Sequence, residues 1–398
     1  MTSDFLVIGG GVIGISVARE LRKRFSDSRV TLIEKEQRCA EHASGRNSGV
    51  LHAGFYYSAD SLKAKFTREG NRLLREYCEY KKIPVNKCGK LVVTKDASEL
   101  LSLDELLKRG RNNGVVLEEI TAEEAQNIEP RVLTYERAIF SPTTCSVDPL
   151  VVVKSLEQDA RAEGVNIHYG EKYVKKKDHA VITTSGTYHA GYLVNAAGLY
   201  ADRIARDHDF SENYRILPFK GLYLYSDEPP GAIRTNIYPV PYLKNPFLGV
   251  HFTVTANGHV KIGPTAIPAF WREHYQGLSN FSFSEFLDVV MRELNLIAFS
   301  DFDFKKLAWE EIRKYSRSRM VSLAGSLAKE IKGQNFRRWA KPGMRAQLVD
   351  IRKRKLEMDF VLEGDDQSMH ILNAVSPGFT CCMPFSRYVC EEITKKLN

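Results

Sequence analysis

A chain of 398 residues is too long for one simple core and suits two domains. With 43% apolar and 27% charged residues it has a globular composition, and no apolar run approaches the ~20 residues of a membrane span. The net charge of +8 is modest for this length; it favours acidic small molecules or an anionic membrane surface and does not argue for nucleic acid.

The chain opens with "DFLVIGGGVIGISVARELRKRF" from Asp4. Phe5 to Ile8 is an apolar, β-branched run of strand type, and Val12, Ile13, Val17, Leu21 and Phe25 then follow at helical spacing. Gly9, Gly11 and Gly14 between them form G-x-G-x-x-G: one glycine makes the turn, one admits a pyrophosphate and one lets helix and strand pack closely. A phosphate would rest on the N–H groups of the helix start. The next strand, "RVTLIEKE", ends at Glu34, where a carboxylate accepts hydrogen bonds from an adenosine ribose. This context predicts a dinucleotide site; an ordinary βαβ unit with a glycine turn is the plainer alternative. Because the first strand begins so early, no targeting segment is expected in the chain as given, and a cytoplasmic location is expected, with peripheral membrane contact as the alternative.

From Ser61, "SLKAKFTREGNRLLREYCEYKKIP" predicts a helix with Leu62, Phe66, Leu73 and Tyr77 on one face, stopped before Pro84. Lys63 and Lys65 lie in its first turn, where positive charge is disfavoured, so they suggest a bound anion; solvated lysines are the alternative. A charged helix is expected over 97–109. A further helix follows Asp148 and Pro149 and is ended by Gly164. The strand "YLVNAAG" and the helix "LYADRIARDH" come next, and a β-rich stretch from Leu217 to Ile267 contains a hairpin turning on Asn257-Gly258. Helices resume from Phe281. "IRKRK" at Ile351 to Lys355 reads as a solvated turn, and the C-terminal helix carries Phe385, Val389, Ile393 and Leu397 four apart. Seven cysteines without metal-type spacing predict reduced thiols and no bound metal.

"SGRNSGVLHAGFYY" with "SLKAKF", then "NIYPVP", "PFLGVHFT" and "GPTAIPAF" in that order, resemble the L-2-hydroxyglutarate dehydrogenase family, within the FAD-dependent oxidoreductases of D-amino-acid oxidase type. "VNAAG" and "PGMRAQ" resemble elements of the wider superfamily. The resemblance runs end to end. It implies an α/β protein with a discontinuous, Rossmann-like FAD-binding domain over 1–88, 146–218 and 340–398. An α+β substrate domain on an antiparallel sheet would occupy 89–145 and 219–339. It implies FAD contacts at Gly9, Gly11, Val12, Ile13, Gly14, Glu34 and Lys35, then at Ser44, Gly45, Arg46, Asn47, Ser48, Gly49 and His52. Ala196, Ala197, Gly198, Gly378, Phe379 and Thr380 complete the set. One departure is "SPGFTCCMP", where Cys381 and Cys382 replace the family's usual alanines and serines. They are either small substitutes or, at a helix start, oxidisable thiols.

Oxidising a 2-hydroxy acid requires a hydride acceptor, a base and a cation that fixes the carboxylate. Arg345 in "PGMRAQ" is the expected clamp, because a guanidinium meets a carboxylate with two parallel hydrogen bonds. Two histidines compete as base. His52 belongs to the flavin stretch, and its role is either proton transfer or flavin attachment and orientation. His251 shares a strand face with Thr253 and Thr255, and that face is either pocket or solvent. Lys63 and Lys65 are candidates for a distal carboxylate, with Tyr238 and Lys220 as further lining residues. The expected reaction is L-2-hydroxyglutarate to 2-oxoglutarate, with a quinone or an electron-transfer protein favoured over oxygen as acceptor and no nucleic acid as partner. Another 2-hydroxy acid, a small secondary amine or an N-methyl amino acid is the alternative substrate. A flavin-carrying RNA-modification or binding protein is the distant alternative.

Overall fold

Two buried sheets organise the chain. In the computed structural model, which describes residues 1–242, 247–299 and 304–397, they belong to two separate units. The first unit comprises Met1–Asn47, Pro149–Pro218 and Met344–Asn398. Its sheet places the strands Ser368–Ile371, Thr187–Asn195, Thr2–Ile8, Val30–Ile33 and Asn166–His168 side by side, all parallel. The Val30–Ile33 strand is buried at every position, as expected where helices cover both faces of a parallel sheet. Leu6, Ile8, Ile33, Leu193 and Ile204 form part of its core. Helix Val12–Arg24 follows the glycine turn, helix Pro149–Ala162 begins directly after Asp148, and helix Gly378–Leu397 closes the chain.

The second unit comprises Ser48–Asp148 and Phe219–Gly343. Its principal sheet runs in the order Arg338–Trp339, Leu224–Tyr225, Val260–Gly263, His251–Val254, Asn236–Pro239, Lys90–Val93, Arg137–Ser141 and Glu118–Thr121. It is not wholly antiparallel, because Asn236–Pro239 runs parallel to Lys90–Val93. Alternation splits this sheet by chemistry. Leu91, Val93, Ile237, Phe252, Val254, Val260 and Ile262 build an apolar core on one face. Lys90, Tyr238, His251, Thr253 and Lys261 belong to the other positions of the same strands and are also buried.

Several expectations change on folding. Residues 48–88, assigned to the flavin domain by resemblance, pack within the second unit: Val50–Leu51 pairs with Cys145–Ser146, and Asn71 Nδ2 donates to the carbonyls of Leu51 and Thr143. The helix after Ser61 spans Leu62–Tyr80, but Phe66 is the one member of the expected apolar face that is buried. Its inner side is lined, beside Leu74, by Lys63, Ala64, Thr67, Gly70 and Asn71, small or polar residues that a hydrophobic pattern overlooks. The charged helix starts as a 3-10 turn at Ala97–Glu99 and becomes α-helical over Leu100–Asn112. Phe385, Val389 and Ile393 are buried as expected, whereas Leu397 is exposed. The Asn257-Gly258 hairpin forms, with Gly258 at φ 77, and 351–354 is an exposed turn. Pro246 of "PFLGVHFT" lies outside the described residues.

Candidate functional site

In the first unit the glycine turn is a close three-way crossing. Gly9 adopts φ 110, and a Cβ there would stand 2.6 Å from the Ala196 carbonyl oxygen. A Cβ on Gly14 would collide with the Gly9 carbonyl oxygen, so the third glycine lets helix and strand touch. Gly11 precedes the helix, whose first turn holds no acidic residue. Ser44 caps that helix from another segment, its Oγ accepting from Val12 N at 2.9 Å. Glu34 is buried at the end of the second strand; Oε2 accepts from Gly10 N at 2.6 Å and Oε1 from Glu36 N at 2.9 Å. A bare backbone at a positive helix end with a fixed carboxylate beside it fits the pyrophosphate and ribose of a dinucleotide.

The other residues expected at the cofactor are arranged by local structure. Lys35 pairs with Glu36 at 2.5 Å, Arg46 Nε donates to the Glu41 carbonyl at 2.6 Å, and Asn47 Nδ2 donates to the Ser44 carbonyl at 2.7 Å. Ala197 N donates to Asn195 Oδ1 at 3.2 Å, which fixes the turn after the strand. Cβ atoms built on Gly198 and Gly378 would meet open space. Thr380 is buried, as are Cys381 and Cys382, and this burial withholds both thiols from solvent oxidants. Arg345 is half-buried on the strand Gly343–Asp350, which forms a hairpin with Lys355–Leu356.

In the second unit the buried polar face gathers both candidate bases. The Tyr238 and His251 rings stack with centroids 3.6 Å apart at 18°. His251 Nδ1 lies 3.0 Å from the Gly249 carbonyl, which can only accept, so Nδ1 carries a hydrogen and, in the neutral ring, the lone pair is on Nε2. His52 Nδ1 lies 3.3 Å from Lys90 Nζ. That lysine is fully buried, with its Nζ 4.2 Å from the Tyr238 ring centroid and 5.1 Å from that of Tyr56. Burial lowers the Lys90 pKa to about 7, against a small opposing effect of the Cys88 thiol. His52 is held well below the usual histidine range by burial, then by Lys90 and His251. Burial likewise raises the Tyr56 and Tyr238 phenols far above their usual range. Among the described residues the hydroxyls of Tyr56, Tyr238 and Thr253 are buried without a hydrogen-bond partner, although Thr253 is close enough to Tyr238 to moderate that rise.

The lysines separate. Lys63 is buried, with Nζ 5.9 Å from the Tyr57 ring centroid, whereas Lys65 is exposed. Lys220 is buried elsewhere in the unit, near Tyr315, with its pKa lowered to about 8 by burial. Lys90 is the residue that sequence reasoning missed. Its signal was a lysine opening the otherwise apolar run "KLVV".

Residues 4–392 match the family described as FAD dependent oxidoreductase. The chain belongs to that family. FAD is accordingly the cofactor that the Gly9–Gly14 turn, Ser44 and Glu34 would hold. Within the family, the chain is 33% identical to L-2-hydroxyglutarate dehydrogenase of Indibacter alkaliphilus, all of both chains being covered. It is 34% identical to the mitochondrial L-2-hydroxyglutarate dehydrogenase of Homo sapiens over 99% of this chain and 89% of that one. Among solved structures, dithionite-reduced L-alpha-glycerophosphate oxidase from Mycoplasma pneumoniae with FAD bound gives a TM-score of 0.78 at 22% identity, covering 99% of this chain and 95% of that one. Glycine oxidase from Geobacillus kaustophilus gives 0.74 at 20%, with the same coverage. At these identities the likeness is one of fold.

Glu34→Ala should weaken FAD retention by roughly ten- to a hundredfold, since a charged acceptor is worth about 1.5–3 kcal/mol and the change also strands two backbone N–H groups. The ratio of FAD to protein after dialysis measures it. Unchanged retention would remove Glu34 from the cofactor site.

Proposed function

We propose that this chain oxidises L-2-hydroxyglutarate to 2-oxoglutarate. The substrate follows from end-to-end likeness to relatives bearing that name, and the chemistry from one observation: a buried histidine whose second ring nitrogen rests on a buried lysine. Bound FAD supplies the acceptor for the C2 hydride. His52 Nε2 takes the hydroxyl proton. His251 is the weaker choice, because its Nδ1 is tied to a carbonyl that cannot accept a proton onward. Arg345 holds the C1 carboxylate, and Lys63 is the remaining buried candidate from the helix start for the distal one. A quinone or an electron-transfer protein takes the electrons from the reduced enzyme.

The state of Lys90 then governs His52. When charged, Lys90 donates to Nδ1, so the neutral imidazole carries its hydrogen on Nε2 and cannot act as base there. When neutral, Lys90 accepts from Nδ1–H and Nε2 carries the lone pair that takes a proton. His52, Tyr56, Tyr238 and Cys88 are the titratable groups that face or act on Lys90, and His251 acts through His52.

The rate constant kcat/KM for anaerobic flavin reduction by L-2-hydroxyglutarate should therefore rise with pH through about 7 and then level off. Lys90→Met should flatten that limb and lower the plateau by about tenfold, or ~1.4 kcal/mol. Faster bleaching by N-methyl amino acids than by any hydroxy acid would overturn the substrate reading, and rapid peroxide formation in air would overturn the acceptor reading. An unchanged acid limb in Lys90→Met would remove the lysine from the proton path and leave the substrate reading intact.

A further inference from the structure

Lys220 is a buried cation outside the proton path. It stands on the strand Tyr214–Gly221, opposite Ile267, and is 4% exposed. Its Nζ lies 5.9 Å from the Tyr315 ring centroid and, among the described residues, has no hydrogen-bond or ion-pair partner. Nearby carboxylates are engaged elsewhere. Glu311, on the helix Phe304–Ile312 that packs against Ile267–Pro268, accepts from Ala266 N at 2.6 Å and from Lys314, and Glu273 accepts from Asn280 Nδ2 at 3.0 Å. Burial lowers the Lys220 pKa to about 8, so the ammonium is still mostly charged at neutral pH. A buried ammonium without a counter-ion is costly, and an anion in contact with it would recover that cost.

The segment after Ile267 brings a second donor within electrostatic reach. Burial, then the Lys220 charge, lowers the His274 pKa to about 4, so this ring is neutral at pH 7. Its Nδ1 accepts from Phe270 N at 3.4 Å, which places the hydrogen of the neutral ring on Nε2. The ring is held by stacking on Trp271, with centroids 3.7 Å apart at 25°, and Trp271 is fixed in turn by Nε1 donating to the Ser279 carbonyl at 3.1 Å. One charged donor and one neutral donor are thus grouped against a rigid aromatic wall. A single positive charge with two donors matches a carboxylate, which has one negative charge and two accepting oxygens.

We propose that Lys220 and His274 hold the distal carboxylate of a 2-hydroxy dicarboxylate, the ammonium donating to one oxygen and Nε2–H to the other. The inference rests on the L-2-hydroxyglutarate reading and deepens it, naming the residues that make the site select a dicarboxylate. It gives Lys220 the place for which Lys63 is the candidate from the helix start. Selectivity follows from what remains when the distal group is missing. A substrate that ends in a methyl group leaves a buried ammonium and an N–H unpaired, so the site rejects it far more strongly than an apolar pocket would.

The test compares anaerobic flavin reduction by L-2-hydroxyglutarate and by L-2-hydroxyvalerate, which has the same carbon chain with a methyl group at its end, in the FAD-loaded enzyme and its variants. The ratio of the two kcat/KM values should fall by roughly a hundredfold or more in Lys220→Met, and by about tenfold in His274→Phe, which keeps the stack on Trp271 and deletes the N–H. His274→Gln, which restores an N–H donor, should recover part of that loss. The two histidine variants read the subsite without touching the sheet. A ratio unchanged in Lys220→Met and His274→Phe would overturn the proposal, and so would a ratio that collapses in Lys63→Met instead. Glutarate that binds without competing with L-2-hydroxyglutarate, and loses that binding in Lys220→Met, would assign the pair to a separate effector site and overturn it too. A wild-type enzyme that is reduced no faster by L-2-hydroxyglutarate than by L-2-hydroxyvalerate would overturn the substrate reading and the subsite together. A wild-type preference that every variant preserves would overturn the subsite alone.

Discussion

Gly14→Val should give a protein that is nearly colourless and melts well below the wild type. The added Cβ meets the Gly9 carbonyl oxygen, a backbone atom that cannot rotate aside, and Gly9 is itself held at φ 110 against Ala196. Overpacking that flexible side chains can absorb costs about 1–3 kcal/mol, so a collision between backbone segments belongs at or above the top of that range. The same shift moves the turn on which a pyrophosphate would lie. Every ~1.4 kcal/mol lost there is tenfold in affinity, so FAD retention should fall by at least roughly a hundredfold. Gly325→Ala is the control, because a Cβ at that helical glycine meets nothing within 4 Å. The ratio of FAD to protein and the thermal midpoint read both effects. A yellow Gly14→Val protein with a normal midpoint would mean that the crossing is not what holds the cofactor.

The first βαβ unit was legible because its information is local. A β-branched run, three glycines, a helical period and a terminal carboxylate lie within one short stretch, and each constrains its neighbours. The second unit carries its information between distant strands. Lys90 is opposite Asn236 and Ser141, and no local pattern announces those pairings. Alternation put His251 and Thr253 on one face, but whether that face is covered depends on segments far away in sequence, and it is buried. The same limit applies to residues 48–88. The family pattern in "SGRNSGVLHAG" speaks of flavin contact, while the packing of Val50–Leu51 against Cys145–Ser146 belongs to the other unit. In the helix Phe283–Phe299, burying the apolar stripe would give the wrong orientation, because the buried residues include two glutamates. Periodicity identifies a face and leaves its direction open.

Arg345→Met should lower kcat/KM for flavin reduction by L-2-hydroxyglutarate by roughly two to four decades, with FAD content unchanged. Methionine keeps much of the apolar stem on the strand Gly343–Asp350 and deletes the guanidinium fork. If that fork meets the C1 carboxylate in a desolvated site, its removal leaves an anion without its partner, a loss of about 3–5 kcal/mol. At ~1.36 kcal/mol per tenfold change, this is the predicted range in rate. The strand should survive the change, because Met344, Gln347, Leu348 and Val349 on it are buried and remain. Arg345→Lys should recover part of the loss, since an ammonium supplies charge without two parallel donors. A loss confined to KM would mean that the arginine binds ground state and transition state alike; a matching loss in kcat would mean that it aligns C2 for hydride transfer. Near-wild-type reduction in the methionine variant would show that the clamp lies elsewhere, and Lys63, buried in the first turn of Leu62–Tyr80, would be the next cation to remove.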